Sequence, residues 1–364
     1  MRSSALVLGA AVVAAATALG ATPASAQFYE QHNLVSSDSD ADLVNAWGLA
    51  SSSGSPWWVA DNGTNLSTLY NSAGAKQGLK VNVPGAPTGL VFNGTTGFTL
   101  NASNNTGGKT GKALFLFDTE SGTVLAWNGS GVMTDAVVVV PSPGGSPTGA
   151  IYKGLAIAQI DPTRARLYAT DFHGNKVDVF DETFTPVMNV NAFVDSTLPA
   201  GYAPFGIQVI GTTVFVTYAQ QDDDAEDDVA GHGHGFVDAY DLAGTFLMRV
   251  ASRDKLDSPW GIAMTPADWG AFGGKLLVGN FGDGLINVFD PTVQNSDGTL
   301  EYVGFLHSDS GPPLKIDGLW ALQFAQGGAN GTPDQLFFTA GPDDESAGLF
   351  GFITPAGPPG HTKH

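Results

Sequence analysis

The densest chemistry in this sequence is the run Asp222-Asp223-Asp224-Ala225-Glu226-Asp227-Asp228, six carboxylates in seven residues, followed by Gly231-His232-Gly233-His234-Gly235. Carboxylates this close repel one another unless water or a cation screens them. Ca²⁺ is the hard cation that oxygen donors favour, so Asp222 and Asp224 are candidate calcium ligands. The spacing lacks the glycine and distant glutamate of an EF-hand loop, and a solvated acidic run is the competing reading. His232 and His234, with His173 from an equivalent loop, could hold Zn²⁺ or Cu²⁺ with a position left open for chemistry. In an extended segment, however, His232 and His234 point to opposite sides, and a mobile glycine-rich loop accounts for them as well.

Other chemistries are excluded outright. The chain has no cysteine, hence no disulfide, thiolate metal site or cysteine nucleophile. It has no G-x-S-x-G elbow, and no P-loop or dinucleotide fingerprint, so no nucleotide cofactor is expected. With 35 acidic against 15 basic residues and a net charge of −20, the surface repels nucleic acid and anionic membranes.

What must position these groups is a repeat. The 48 glycines and 21 prolines point to short strands and many turns. A glycine followed by an apolar residue recurs at Gly48-Leu49, Gly89-Leu90, Gly154-Leu155, Gly206-Ile207, Gly261-Ile262 and Gly318-Leu319. After each comes a second apolar strand, such as Trp57-Trp58-Val59, Gly97-Phe98-Thr99-Leu100 or Thr213-Val214-Phe215-Val216. A third alternating strand follows, usually closed by Asn or Asp, as at Asn71, Asp118, Asp181, Asp241 and Asp290. Units of about 55 residues with four strands each predict an all-β, six-bladed β-propeller. The sixth unit stops after its third strand, at Ile353. The segment Gln31–Val35 precedes the first unit, so it is expected to supply the missing outer strand and remove the exposed edge.

In a propeller the first strand of each blade lines the channel and the second returns antiparallel, so the start of one and the end of the other share a face. Just before the recurrent glycine stand Trp47, Thr88, Lys153, Phe205, Trp260 and Asp317. Just after the second strand stand Asp61, Asn101, Asp171, Tyr218, Asn280 and Ala340. Apolar walls with a few polar groups suit a small ligand, which makes Trp47, Lys153, Phe205, Tyr218, Trp260 and Asp317 candidate ligand-binding residues. Asp61, Asp171 and Asn280 join the candidate metal donors. Against this, Asp and Asn at a strand end commonly cap their own turns, the tryptophans serve inter-blade packing, and Lys153 and Asp317 could pair with each other.

Residues 1–26 have the form of a signal peptide: Arg2, a small and apolar run from Ala5 to Ala21, and Ala24-Ser25-Ala26 as a cleavage site. No run reaches the roughly 20 apolar residues of a membrane span. A secreted or periplasmic monomer is expected, with the propeller over 27–353 and a disordered Pro/Gly-rich tail over 354–364.

The stretches Trp58-Val59-Ala60-Asp61-Asn62-Gly63, Leu167-Tyr168-Ala169-Thr170-Asp171-Phe172 and Leu277-Val278-Gly279-Asn280-Phe281-Gly282 resemble NHL-type propeller repeats. With Asn45-Ala46-Trp47-Gly48, Ser258-Pro259-Trp260-Gly261 and Asp317-Gly318-Leu319-Trp320, they make the chain similar to a family of exported bacterial six-bladed propellers of no settled activity. The resemblance implies the fold and not a reaction. Two functions follow as expectations: an extracellular binding module for a small molecule, glycan or protein, or a metal-dependent hydrolase or lyase working in the channel.

Overall fold

The computed structural model describes residues 28–129, 134–142, 149–189 and 191–357. The expected leader at 1–26 lies outside these residues, as do tail residues 358–364 with His361 and His364.

Six antiparallel sheets repeat one plan. Blade 1 is Ala46–Ala50, Trp57–Asp61, Leu66–Tyr70 and Val81–Asn82, and blade 2 is Pro87–Phe92, Phe115–Thr119, Val124–Trp127 and Val137–Val140. Blade 3 has Tyr152–Asp161, Arg164–Asp171 and Lys176–Asp181. Blade 4 is Tyr202–Ile210, Thr213–Gln220, Gly235–Asp241 and Phe246–Ser252, and blade 5 is Pro259–Met264, Leu276–Asn280, Ile286–Gln294 and Leu300–Phe305. Blade 6 is Leu319–Phe324, Leu336–Ala340 and Leu349–Ala356, with the N-terminal strand Phe28–Ser36 added outside. Short apolar runs alternate with turns that their own Asx residues close: Asp181 accepts the amides of Thr183 and Thr185, and Asp241 those of Ala243 and Thr245.

The ring closes as the repeat predicts. Gln31 pairs with Ile353, His32 with Phe352 and Val35 with Phe350, antiparallel. The closing strand runs on to Ala356, because Thr354, Pro355 and Ala356 find partners in Glu30, Tyr29 and Phe28. Residues 354–356, expected in the tail, therefore belong to the closing strand. Each junction between blades holds one hydrophobic cluster, and a seventh, around Trp47, Phe205 and Trp320, sits on the axis.

Every inner strand carries a register shift at its start, and every one then aligns the same way on its neighbour. Leu49 faces Val59, Leu90 faces Phe117, Leu155 faces Ala169, Ile207 faces Val216, Ile262 faces Val278 and Leu322 faces Phe338. Bulges of this kind re-aim a side chain. In five blades the shift falls at the recurrent glycine. A Cβ on Gly206 or Gly261 would collide with the carbonyl of Trp260 or Trp320 in the next blade.

This register corrects two expectations. In blade 2 the second strand is Phe115–Thr119, while Thr99–Leu100 forms a separate ribbon with Gly111–Lys112. Asn101 therefore leaves the ring, and Thr119 takes its place. In blade 6 the residue matching the recurrent glycine is Ala321, three positions after Gly318, whose φ of +62° marks a turn instead. The side chain that joins Trp47, Thr88, Lys153, Phe205 and Trp260 is thus Trp320, and Asp317 is displaced from the ring.

Candidate functional site

Turned inward by the bulges, these six side chains close one end of the channel. Trp47 stacks on one side of Trp320 with ring centroids 3.7 Å apart, and Phe281 stacks on Trp320 at 4.0 Å. Phe205 and Trp260 meet Trp320 edge-on at 5.8 and 6.0 Å. Offset and edge-on pairs of this kind add attraction beyond burial. Trp260 Nε1 donates to the Lys153 carbonyl at 2.8 Å, and Trp320 Nε1 to Asn45 Oδ1 at 2.8 Å. Below the plug, Leu49, Leu90, Leu155, Ile207, Ile262 and Leu322 enclose a space of about 30 Å³. That is room for about one water. The aromatic residues expected to wall an open mouth instead fill it.

Lys153 is the charged member of the ring, and its side chain is 1% exposed. Its ammonium donates to Glu120 Oε1 at 2.5 Å and Asp227 Oδ1 at 2.8 Å, and lies 5.3 Å from the centroid of Trp47. The network continues outward. Asn62 Nδ2 donates to Glu120 Oε2 at 2.9 Å, while Asn45 Nδ2 donates to Asn62 Oδ1 at 3.2 Å and to Glu345 Oε2 at 2.5 Å. One polar belt thus joins blades 1, 2, 3, 4 and 6 around the plug.

The electrostatics of this belt are lopsided. Burial would lower the Lys153 pKa, but Glu120 and Asp227 outweigh it and hold the group above the usual lysine range. Burial pushes Glu345 up to about 7, against the Asn45 hydrogen bond and the Lys153 charge. Burial likewise pushes Asp228 up to about 6, with Ser258 and Lys153 opposing and Asp227 adding. Two carboxylates bond the ammonium, and its charge acts on two more.

The remaining expected site residues lie elsewhere. Asp317 is exposed and accepts the Asp343 amide at 3.1 Å, so it does not pair with Lys153. Tyr218 is buried within the packing of blades 3 and 4, its hydroxyl 2.6 Å from that of Tyr240. Asp171 caps the amides of Ile151 and Gly174 and pairs with Lys176 at 3.1 Å. Asp61 accepts the Thr68 amide at 2.9 Å, and burial lifts it well above the carboxylate range. Asn280 donates to the Lys255 carbonyl and to Asp283.

His173 Nδ1 lies 3.2 Å from the Ala225 carbonyl, which does place it beside the acidic loop. His234 Nδ1 faces the Val229 carbonyl at 2.8 Å, His232 and Asp224 are exposed, and Asp222 accepts the Glu226 amide. Among the described residues, no three His, Asp or Glu side chains stand together as a metal ion would require.

Sequence reasoning passed over Glu120, Glu345, Asn45, Asn62 and Trp320. A register anchored on Leu322 would have found Trp320. The belt residues sit in loops whose convergence no repeat encodes.

Fold and site together define a six-bladed β-propeller with a plugged channel. The chain belongs to a family with two uncharacterised proteins of Acanthamoeba polyphaga mimivirus. One is 34% identical over 326 residues, covering 86% of this chain and 76% of the relative; the other is 31% identical over 339 residues, covering 88% and 83%. No family model matches. Among solved structures the chain is similar to a protein of unknown function from Bacteroides thetaiotaomicron, with a TM-score of 0.54, 12% identity and 89% and 72% coverage. It is also similar to virginiamycin B lyase from Staphylococcus aureus, with a TM-score of 0.48, 13% identity and 90% and 98% coverage. These likenesses concern the fold alone. No helix among the described residues is long and apolar enough to cross a membrane.

Proposed function

We propose that the protein is an exported binding module whose Lys153 face receives a cationic group from a ligand or partner. The observation that carries this reading is the belt: Glu120 and Asp227 hold one buried ammonium beside the acidic loop, and its charge also acts on Asp228 and Glu345. Lys153 is protonated and sealed, so it serves neither as base nor as nucleophile. It fixes the carboxylates, and their surplus negative charge attracts a cation. The placement of His173, His232 and His234 does not favour the alternative of a metal-dependent hydrolase or lyase.

The test is calorimetric titration and thermal shift with spermidine and an arginine-rich peptide, set against neutral, anionic and Ca²⁺ controls. Binding should weaken at high salt and in Asp227→Asn and Asp228→Asn. Absence of binding at low salt, or binding indifferent to both substitutions, would refute the reading. Export is checked by the mature N-terminus, expected near Gln27; a secreted chain that still begins at Met1 contradicts it.

A further inference from the structure

The opposite end of the channel differs in every respect. A pocket of about 150 Å³ opens there, over the aliphatic ring, with Phe92, Val91 and Ile157 on its walls. Its polar side chains are the amides of Gln208, Gln323 and Gln326 and the hydroxyl of Ser51, which already accepts from Asn330. No charged side chain lines it, in a chain with 35 acidic and 15 basic residues. Gln208 and Gln323 follow Ile207 and Leu322 directly, so they occupy one repeat position in blades 4 and 6. The other blades place Ala50, Val91, Ala156 and Ala263 there. Both amides are half-buried and make no side-chain hydrogen bond among the described residues, whereas Gln326 reaches the Ser51 carbonyl at 3.4 Å.

We infer that this mouth is a second binding site, for a neutral sugar ring. An amide offers donors and an acceptor together, which a pair of sugar hydroxyls matches. A hydrocarbon would leave the half-buried amides without partners, and that carries a penalty. A charged ligand would meet no counter-charge and would lose its hydration. The volume is about that of a cavity that takes one six-membered ring. The C–H face of a pyranose packs on the aliphatic floor, while its hydroxyls reach Gln208 and Gln323.

The test is ligand-observed NMR titration of the whole protein with glucose, galactose, N-acetylglucosamine and neutral tetrasaccharides, beside glucuronate, glucosamine and cyclohexane-1,2-diol. The variants are Gln208→Leu, Gln323→Leu and, at the far face, Asp227→Asn. Saturable binding of a neutral sugar, free or at a chain end, is expected. Each leucine should weaken it about tenfold, and Asp227→Asn should leave it unchanged. The free sugar and the tetrasaccharide distinguish a soluble ligand from a glycan terminus. The inference fails if no neutral sugar saturates, if the leucine variants bind as the wild type does, or if glucosamine binds best and depends on Asp227.

Discussion

Replacing Lys153 with methionine keeps the unbranched stem, one atom shorter, and removes its charge. Glu120 and Asp227 then lose their shared ammonium, and Glu345 and Asp228 lose the cation that holds their carboxyls down. Breaking a buried ion pair costs about 3–5 kcal/mol. Asp227 is 73% exposed and regains water on release, so its share is small, and about 2–3 kcal/mol remains for the whole change. An unfolding entropy of roughly 2 cal/mol/K per residue over about 330 residues makes each kcal/mol worth about 1.4 °C. The expected fall in Tm is therefore about 3–4 °C at pH 8, measured by scanning calorimetry. It should shrink at pH 5, where the abandoned carboxyls take up protons. Adding Glu120→Gln and Asp227→Asn to Lys153→Met should restore most of the loss, since no unpaired charge is left. If Lys153→Met melts with the wild type at pH 8, or the triple variant stays as unstable as the single, the charge argument is wrong.

Six carboxyls among the described residues are held high by burial: Asp228 and Asp238 to about 6, Asp118 and Glu345 to about 7, and Asp61 and Asp257 with them. Their unfolded forms ionise near pH 4, so between about pH 4 and 7 the folded chain holds more protons and stability falls as pH rises. Carboxylates held low, such as Asp290 at about 2, withdraw their contribution only below that window. Tm should thus decline from pH 5 to pH 8, and a steady rise would contradict the assignment. At the axis, Gly206→Ala drives a methyl into the Trp260 carbonyl and should cost about 1–3 kcal/mol. Ala321→Gly at the matching site of blade 6 should cost no more than about 1 kcal/mol; equal effects in a denaturant melt would show that the two positions are not equivalent.

Six-fold recurrence made the fold legible. The Gly-apolar pairs mark where one inner strand approaches the next, and a chain whose last unit lacks a strand must borrow one from its start. Legibility failed where a local signal imitated the repeat. Gly97–Leu100 reads as a strand yet belongs to an inserted ribbon. Gly318 reads as an approach glycine yet serves a turn, while Ala321 holds the repeat position. That shift of three hid Trp320, the ring on which Trp47, Phe205, Trp260 and Phe281 all converge. Lys153 and the acidic loop were visible as site features, but their connection through Glu120, Asn62, Asn45 and Glu345 was not. Those four come from loops of three blades, and only the closed ring brings them together.

The same geometry explains why the two ends of the channel differ. At the Lys153 end, the bulge brings large side chains together, where five aromatic rings pack on one another and the polar groups form a belt around them. The residues after the bulge are aliphatic and form a narrow waist; beyond it a wider pocket opens, and two glutamines stand where other blades carry Ala or Val. A charged ligand at the first end touches groups that tie five blades together, so its binding adds directly to ring closure. A neutral ligand at the second touches two inner strands and leaves the belt alone. Binding at either end raises Tm by mass action, but only the first effect should vanish with salt and change the titration of Glu345 and Asp228. Salt dependence of the ligand-induced shift therefore assigns any ligand to its end of the propeller before a complex is solved.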